Sequence, residues 1–333
     1  MQQLFSILAV TFPIFALMLG GFVATRRKLL PVEAIPGLSA YIVSFALPAM
    51  LFRLSVATPL ADMMDLSMIL LYLTCGAVLS ALTIVLSRKQ GMTMKDAAFG
   101  ALVSVYPNAG FMGIPLLIAL LGENGVRVIL VTILLVDCFV TTSVCLSVAQ
   151  MQVGRDEKRD FGKLLGTLGR TLRGAFSNPL SWPIVAGLLF GSLGIEMPAP
   201  FHETITMLAD SASPVALFTV GAIFARNAVN ERKSHRALAD YVPIALIKLF
   251  LHPLLVFSAG YWFEALGGHL DARTLSAVML VAALPSAANT SMVAERFGAD
   301  SGRIARIVMT STTLSFFSFT GLVWFMGIQL PIR

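Results

Sequence analysis

The chemistry in this sequence is concentrated where an apolar chain has least use for it. Tyr106-Pro107-Asn108-Ala109-Gly110-Phe111-Met112-Gly113-Ile114-Pro115 sets two prolines, two glycines and an asparagine in the middle of a long hydrophobic stretch. Leu284-Pro285-Ser286-Ala287-Ala288-Asn289-Thr290-Ser291 repeats that character, its proline 178 positions after Pro107. Proline removes a backbone donor and clashes with the preceding turn, so each stretch predicts a broken helix. The freed backbone groups need partners, which inside a membrane exist only in protein or in a watery cavity. Asn108 brings a donor and an acceptor to the first break, and Asn289 brings the same to the second. With Pro107, Ala109, Gly110, Pro285 and Ala288 around them, they are the candidates for holding a small polar molecule. The alternative for each asparagine is to satisfy backbone groups that its proline frees.

Four ionisable residues stand out against the same apolar background. Asp137 lies within Leu134 to Val140, where a carboxylate costs on the order of 2.5–3.5 kcal/mol to insert and so must be paired, protonated or wet. It is the candidate carrier of a coupling proton, with a fixed ion pair to Lys248 or Arg53 as the structural alternative. Lys248 can neutralise an anion or stand in for a sodium ion, and His252 falls one turn further on the same helix face. Arg53, near one end of its apolar run, suits a substrate clamp or a snorkelling anchor equally. Thr310-Ser311-Thr312-Thr313 offers hydroxyls, with helix packing as the alternative role.

The elements that position these residues follow from composition. With 333 residues, 57% hydrophobic and 13% charged, and a mean hydropathy of +0.83, the chain reads as an all-α polytopic membrane protein. Ten apolar runs are expected, at about 4–25, 36–56, 66–87, 96–121, 126–150, 178–194, 204–226, 241–263, 273–295 and 303–327. The first has its charges, Arg26, Arg27 and Lys28, after the apolar stretch, which predicts a retained helix with its N-terminus outside. Ten spans from that start put 19 of the 24 Lys and Arg residues in cytoplasmic loops and three outside, so both termini are expected to face outward from a bacterial inner membrane. The excess positive charge, net +6, is thereby assigned to membrane orientation and not to nucleic acid. Cys75, Cys138 and Cys145 have no paired spacing and read as packing residues.

The connection at 151–176, with Arg155, Lys158 and Arg159 before an amphipathic Leu164, Leu165, Leu168, Leu172 pattern, is expected to lie on the cytoplasmic face against membrane lipid. It separates a first five-helix repeat, 1–150, from a second, 177–333. Five spans per half force the second half to insert inverted. Pro13-Ile14 with Pro183-Ile184, Pro48 with Pro214, and Pro107 with Pro285 supply matching landmarks in order. The fourth and ninth spans would then cross near the midplane, each presenting a half-helix N-terminus with about half a positive charge. That is a place for an anion.

The Asn108-Ala109-Gly110 break, the Lys248 to Pro253 stretch and the Pro285 break resemble the auxin efflux carrier family of membrane transporters, over essentially the whole chain. The short loops resemble a bacterial member, among which carriers of malonate, malate and similar carboxylates are the nearest kind. The resemblance implies a fold like that of bile-acid symporters and sodium/proton antiporters. Spans 1, 2, 6 and 7 would form a scaffold, spans 3–5 and 8–10 a moving transport domain, and the scaffold a homodimer interface, with which a GxxxG pair, Gly187 and Gly191, is consistent. The expected function is elevator-type transport of a small organic anion, a carboxylate or an auxin-like acid, coupled to a proton, to sodium or to neither. A carrier of another small solute, an anion channel or a sensor on the same scaffold are the alternatives. No P-loop, HExxH or GxSxG motif is present and the four histidines are scattered, so neither an enzyme nor a cofactor is expected.

Overall fold

The computed structural model describes residues 2–59, 65–150, 181–230 and 237–328. The expected surface helix at 151–176, the basic residues at 232–236 and Arg333 lie outside them. The described residues are helical, with no strand among them. In chain order the helices are α1 (Gln2–Arg26), α2 (Val32–Val56), α3 (Leu66–Lys89), α4 (Met94–Val105), α5 (Ala109–Leu121), α6 (123–150), α7 (Ser181–Ser192), α8 (Ala199–Asn230), α9 (Val242–Ala265), α10 (Ala272–Ala283), α11 (Thr290–Arg296) and α12 (Ser301–Phe325).

Seven of them, α1, α2, α3, α6, α8, α9 and α12, are long and apolar enough to cross a membrane. Three more, α5, α7 and α10, are apolar but shorter. The short ones have a cause in the two predicted breaks. At about 1.5 Å per residue, α4 and α5 are each under about 20 Å long, and neither alone covers the ~30 Å hydrocarbon core. Pro107 and Pro285 have stopped α4 and α10 at Val105 and Ala283, and each chain restarts a few residues later.

Proline leaves a second mark. Helical turns widen to i→i+5 bonding at Ile42–Ala46, Ala109–Gly113 and Ile247–Leu251, each two residues before a proline: Pro48, Pro115 and Pro253. A proline with no N–H, pressing on the carbonyl four residues earlier, shifts the ladder in this way. A fourth wide turn, Asp137–Thr141, has no proline behind it.

Packing divides the helices into two sets. In one, α1 runs along α8, α7 lies on α2, and α2 crosses α8. Glycine makes these approaches close: a methyl group on Gly21 of α1 would sit 1.8 Å from the Phe218 carbonyl oxygen, and one on Gly221 of α8 would sit 1.8 Å from that of Met18. Gly187 and Gly191 of α7 meet the backbone of α2 at Phe52 and Val56 in the same way. The GxxxG pair is therefore used inside the protomer, because α2 fills the groove that a second subunit would need; it is no evidence for a homodimer.

In the other set α3 packs on α4, α4 on the second half of α6, α9 on α3 and α10, and α11 on α12. Arg303 locks its one end. Its guanidinium is 1% exposed and donates to the Asp240 carbonyl (2.9 Å), the Asp96 carbonyl (3.1 Å) and Ser87 Oγ (3.2 Å).

Candidate functional site

The two breaks meet. Pro107 and Ser286 pair as an antiparallel bridge, in which Asn108 N–H donates to the Pro285 carbonyl (2.8 Å) and Ala287 N–H to the Tyr106 carbonyl (3.0 Å). Each extended segment thus satisfies the backbone that the other's proline has freed, as a buried break requires. Side chains finish the work: Ser286 Oγ donates to the Val103 carbonyl at the end of α4 (2.7 Å), and Ser286 N–H donates to Ser311 Oγ of α12 (3.2 Å). Ser311, from the hydroxyl run of the tenth apolar segment, has a structural role at the crossing.

Because backbone and serine meet these needs, the asparagines are spare. Asn108 is 4% exposed and Asn289 half-buried, and neither side chain caps the helix that follows it or takes a hydrogen bond among the described residues. The Asn108 carbonyl accepts from Met112 and Gly113 N–H, both 3.0 Å, opening α5 with a wide turn. The N–H groups of Ala109, Gly110 and Phe111 come ahead of that ladder, as the first donors of any helix do. The Tyr106 and Pro285 carbonyls, which end the incoming helices, are already occupied. The second half-helix, α11, has only seven residues and adds less dipole than the sequence suggests.

Asp137 and Lys248 occupy two of the wide turns. Asp137, 2% exposed, accepts the Tyr72 hydroxyl on both carboxylate oxygens (3.1 and 3.0 Å) and the Thr141 hydroxyl on one (3.0 Å). Lys248 is wholly buried, with Nζ 2.9 Å from His252 Nδ1 and 3.1 Å from the Ala282 carbonyl. The two charges make no direct ion pair, so the structural alternative for Asp137 does not hold for Lys248. It does not hold for Arg53 either, because Arg53 Nη1 is bonded to Asp210 of α8 at 2.7 Å. That pair is open, with side chains 39% and 64% exposed, and an ion pair so exposed within a membrane belongs on a wet face and not against lipid.

A half-open, mostly apolar groove of about 380 Å³ lies between α3 and α6, lined by Gly76, Ala77, Ser80 and Val144, with Tyr72, Asp137, Thr141 and His252 also along it. No group of three or more His, Cys, Asp or Glu side chains is placed to hold a metal among the described residues.

Sequence reasoning singled out Asp137, Lys248 and His252 but not the residues that hold them. Thr141, four residues after Asp137, carried a signal in its spacing. Tyr72 carried a weaker one, a lone phenol in an apolar helix that must find a partner. Nothing local pointed to Asp210 or Ala282.

A sequence model of the family described as "Membrane transport protein" matches residues 6–324. The chain belongs to that family. It is the auxin efflux carrier family that the breaks resemble. The chain is 29% identical over 320 residues to a Rhizobium meliloti protein named "Putative malonate transporter", covering 96% of this chain and 95% of that one. It is also 24% identical over 290 residues, 86% of both chains, to "Uncharacterized transporter YfdV" of Escherichia coli K12. A Methanothermobacter thermautotrophicus "Uncharacterized transporter" is 22% identical over 310 residues, 92% of this chain and 93% of its own. The protein is an integral membrane member of a transport family.

Proposed function

We propose that this transporter carries a small organic anion, a carboxylate, by alternating access, and that the anion sits where the two broken helices cross. The observation that carries the reading is the pair of uncommitted side-chain amides, Asn108 and Asn289, beside the first-turn N–H groups of α5 where the two breaks meet. A carboxylate accepts from amides and helix N-termini. The name of the Rhizobium relative points to the same substrate class, a dicarboxylate in that case.

Arg53 fits beside this site as an exchangeable clamp. An exposed ion pair is worth about 0–1 kcal/mol, so Asp210 holds Arg53 loosely enough to release it to a substrate carboxylate. The moving part is the set α3–α6 with α9–α12, and the scaffold is α1, α2, α7 and α8, in two inverted five-span repeats. The element pairing supports the reading: α1 on α8 is the counterpart of α7 on α2, and the two breaks face one another. The scaffold would also carry any homodimer contact. Asp137 carries the coupled proton. Its described partners are two hydroxyls, of Tyr72 and Thr141, which donate to the carboxylate and can rotate to accept from the protonated acid.

Binding of mono- and dicarboxylates to purified protein, by thermal shift and by uptake into proteoliposomes at two pH values with and without sodium, tests the proposal. Selective binding of a cation or a neutral sugar would overturn it, as would saturable carboxylate binding left unchanged in Asn108→Ala. Accumulation that follows a sodium gradient and ignores a proton gradient would reject the coupling.

A further inference from the structure

The groove between α3 and α6 takes no part in the reading above, and its shape is unusual for a surface that meets lipid. Elsewhere the outward side of α3 carries large side chains, with Leu70, Val78 and Val85 exposed. Along the groove the same helix has Gly76, Ala77, Ser80 and Ala81, and α6 forms the other bank with Val140, Thr141 and Val144. Both helices are long and apolar enough to cross a membrane, and Val140 and Val144 are exposed, so the open side of the groove faces hydrocarbon. Water gains nothing there, because the walls offer it almost no polar surface. Left empty, the groove would forfeit the contacts of every atom that lines it.

Its dimensions select what fills it. From Leu73 to Ile84 the lining climbs 11 residues of α3, about 17 Å at about 1.5 Å per residue. One leaflet's share of a ~30 Å hydrocarbon core is about 15 Å, so the groove is as long as one acyl chain standing in its own leaflet. The volume of about 380 Å³ holds about a dozen methylene-sized groups, at the ~30 Å³ that a water takes in the liquid.

One end of the groove is charged. Arg88 follows Ile84 by four residues and Ala81 by seven, on the same face of α3, and Lys89 comes next. Both are exposed, and α3 has no acidic residue to oppose them. Arg88 is fixed there by donating from Nη1 to the Met92 carbonyl (2.6 Å). Asp96, the next acid along the chain, is committed to the Thr93 hydroxyl (2.7 Å) and to Asp300 N–H (2.9 Å). The cations thus stand one turn beyond the last apolar lining residue of α3, where the phosphate of a lipid lies when its chain is in the groove.

We propose that this groove seats one acyl chain of an anionic phospholipid, whose phosphate is held by Arg88 and Lys89. The far end of the chain reaches the level of Tyr72 and Asp137, which line the groove beyond Leu73. It thereby closes with hydrocarbon the flank on which the buried carboxylate sits. The site needs neither a substrate nor a coupling ion.

Native mass spectrometry of the full chain, released from phosphatidylcholine nanodiscs with a minor share of phosphatidylglycerol of the same acyl composition, counts the lipids that stay bound. The wild type is expected to keep one phosphatidylglycerol per chain in preference to phosphatidylcholine. Ala77→Leu with Ala81→Leu fills the groove and should remove that lipid, whereas Val78→Phe adds bulk outside the groove and should keep it. Arg88→Gln with Lys89→Gln leaves the groove open and should lower phosphatidylglycerol retention about 10-fold, to the level of phosphatidylcholine. Both cations are exposed, so this second variant decides the matter if the filled groove does not fold. Retention unchanged in either double variant, or equal retention of the two lipids by the wild type, overturns the proposal. A dimer of the chain that Ala77→Leu with Ala81→Leu dissolves overturns it too, since a second copy would then cover the groove.

Discussion

At the crossing, a single amide separates a structural asparagine from a binding one. Asn108 would be expected to cap backbone freed by Pro107, but main-chain pairing to Pro285 and the Ser286 hydroxyl have taken over that task. Asn108→Ala is therefore expected to leave thermal stability nearly unchanged and to weaken carboxylate binding by about 1–3 kcal/mol, the usual worth of a hydrogen bond to a charged group. Equal losses in both measurements would mark it as a cap after all. Asp137→Asn keeps the size of the side chain and its acceptor toward Tyr72. It should abolish proton-driven accumulation while substrate exchange persists, as measured by counterflow in proteoliposomes; normal accumulation would reject the role. Residue types announced these positions because polarity is costly in an apolar span. The partners Tyr72, Ala282 and Asp210 come from other helices, at separations of 65, 34 and 157 residues, and no local pattern specifies them.

Helices show the same division between what is local and what is not. Both breaks were legible, since Pro107 and Pro285 allow little else, and so were the seven long spans. That the breaks hydrogen-bond to each other was not, because a two-residue bridge between segments 178 positions apart has no periodicity to display. The GxxxG pair announced a close approach without naming the neighbour, which proved to be α2. Gly221→Ala is expected to push α1 off α8, costing about 3 kcal/mol or more of stability, since the added methyl meets backbone that no rotamer can move. Arg303→Met leaves two carbonyls and a hydroxyl without their donor where α3, α4 and α12 converge, a loss of about 3 kcal/mol. Both should appear as lowered melting temperatures in detergent. Asp271 caps α10 through Thr274 N–H and hydroxyl. Slight burial pushes its pKa up, but these bonds and Arg273 outweigh that and hold the carboxyl below its usual range. Its contribution is accordingly present above the ordinary carboxylate range and is lost as pH falls through the lowered value, so the penalty of Asp271→Ala, about 1 kcal/mol, should shrink in acid.

For the whole molecule, the proposed division into scaffold and moving set makes a claim about charge. If α3–α6 and α9–α12 move as one body, they take Asp137 and Lys248 with them, and a carboxylate and an ammonium sum to zero in the empty carrier. Adding a monoanion makes the loaded form −1, and one proton on Asp137 restores zero. Uptake of a monocarboxylate driven by a proton gradient should then be indifferent to a membrane potential clamped by potassium and valinomycin, because each field-crossing step is neutral. A fully ionised dicarboxylate leaves the loaded form at −1, and its transport should slow or accelerate with the sign of the potential. The two substrate classes are thereby told apart without a structure of either complex. Asp137→Asn reverses the pattern: the empty variant carries the lysine charge alone, at +1, and its return becomes the voltage-sensitive step, while the form loaded with a monoanion is neutral. Current recordings on proteoliposomes adsorbed to a solid support check all three cases. One elementary charge moved per monoanion by the wild type would mean that Asp137 and Lys248 do not travel together, and the division into scaffold and moving set would have to be redrawn.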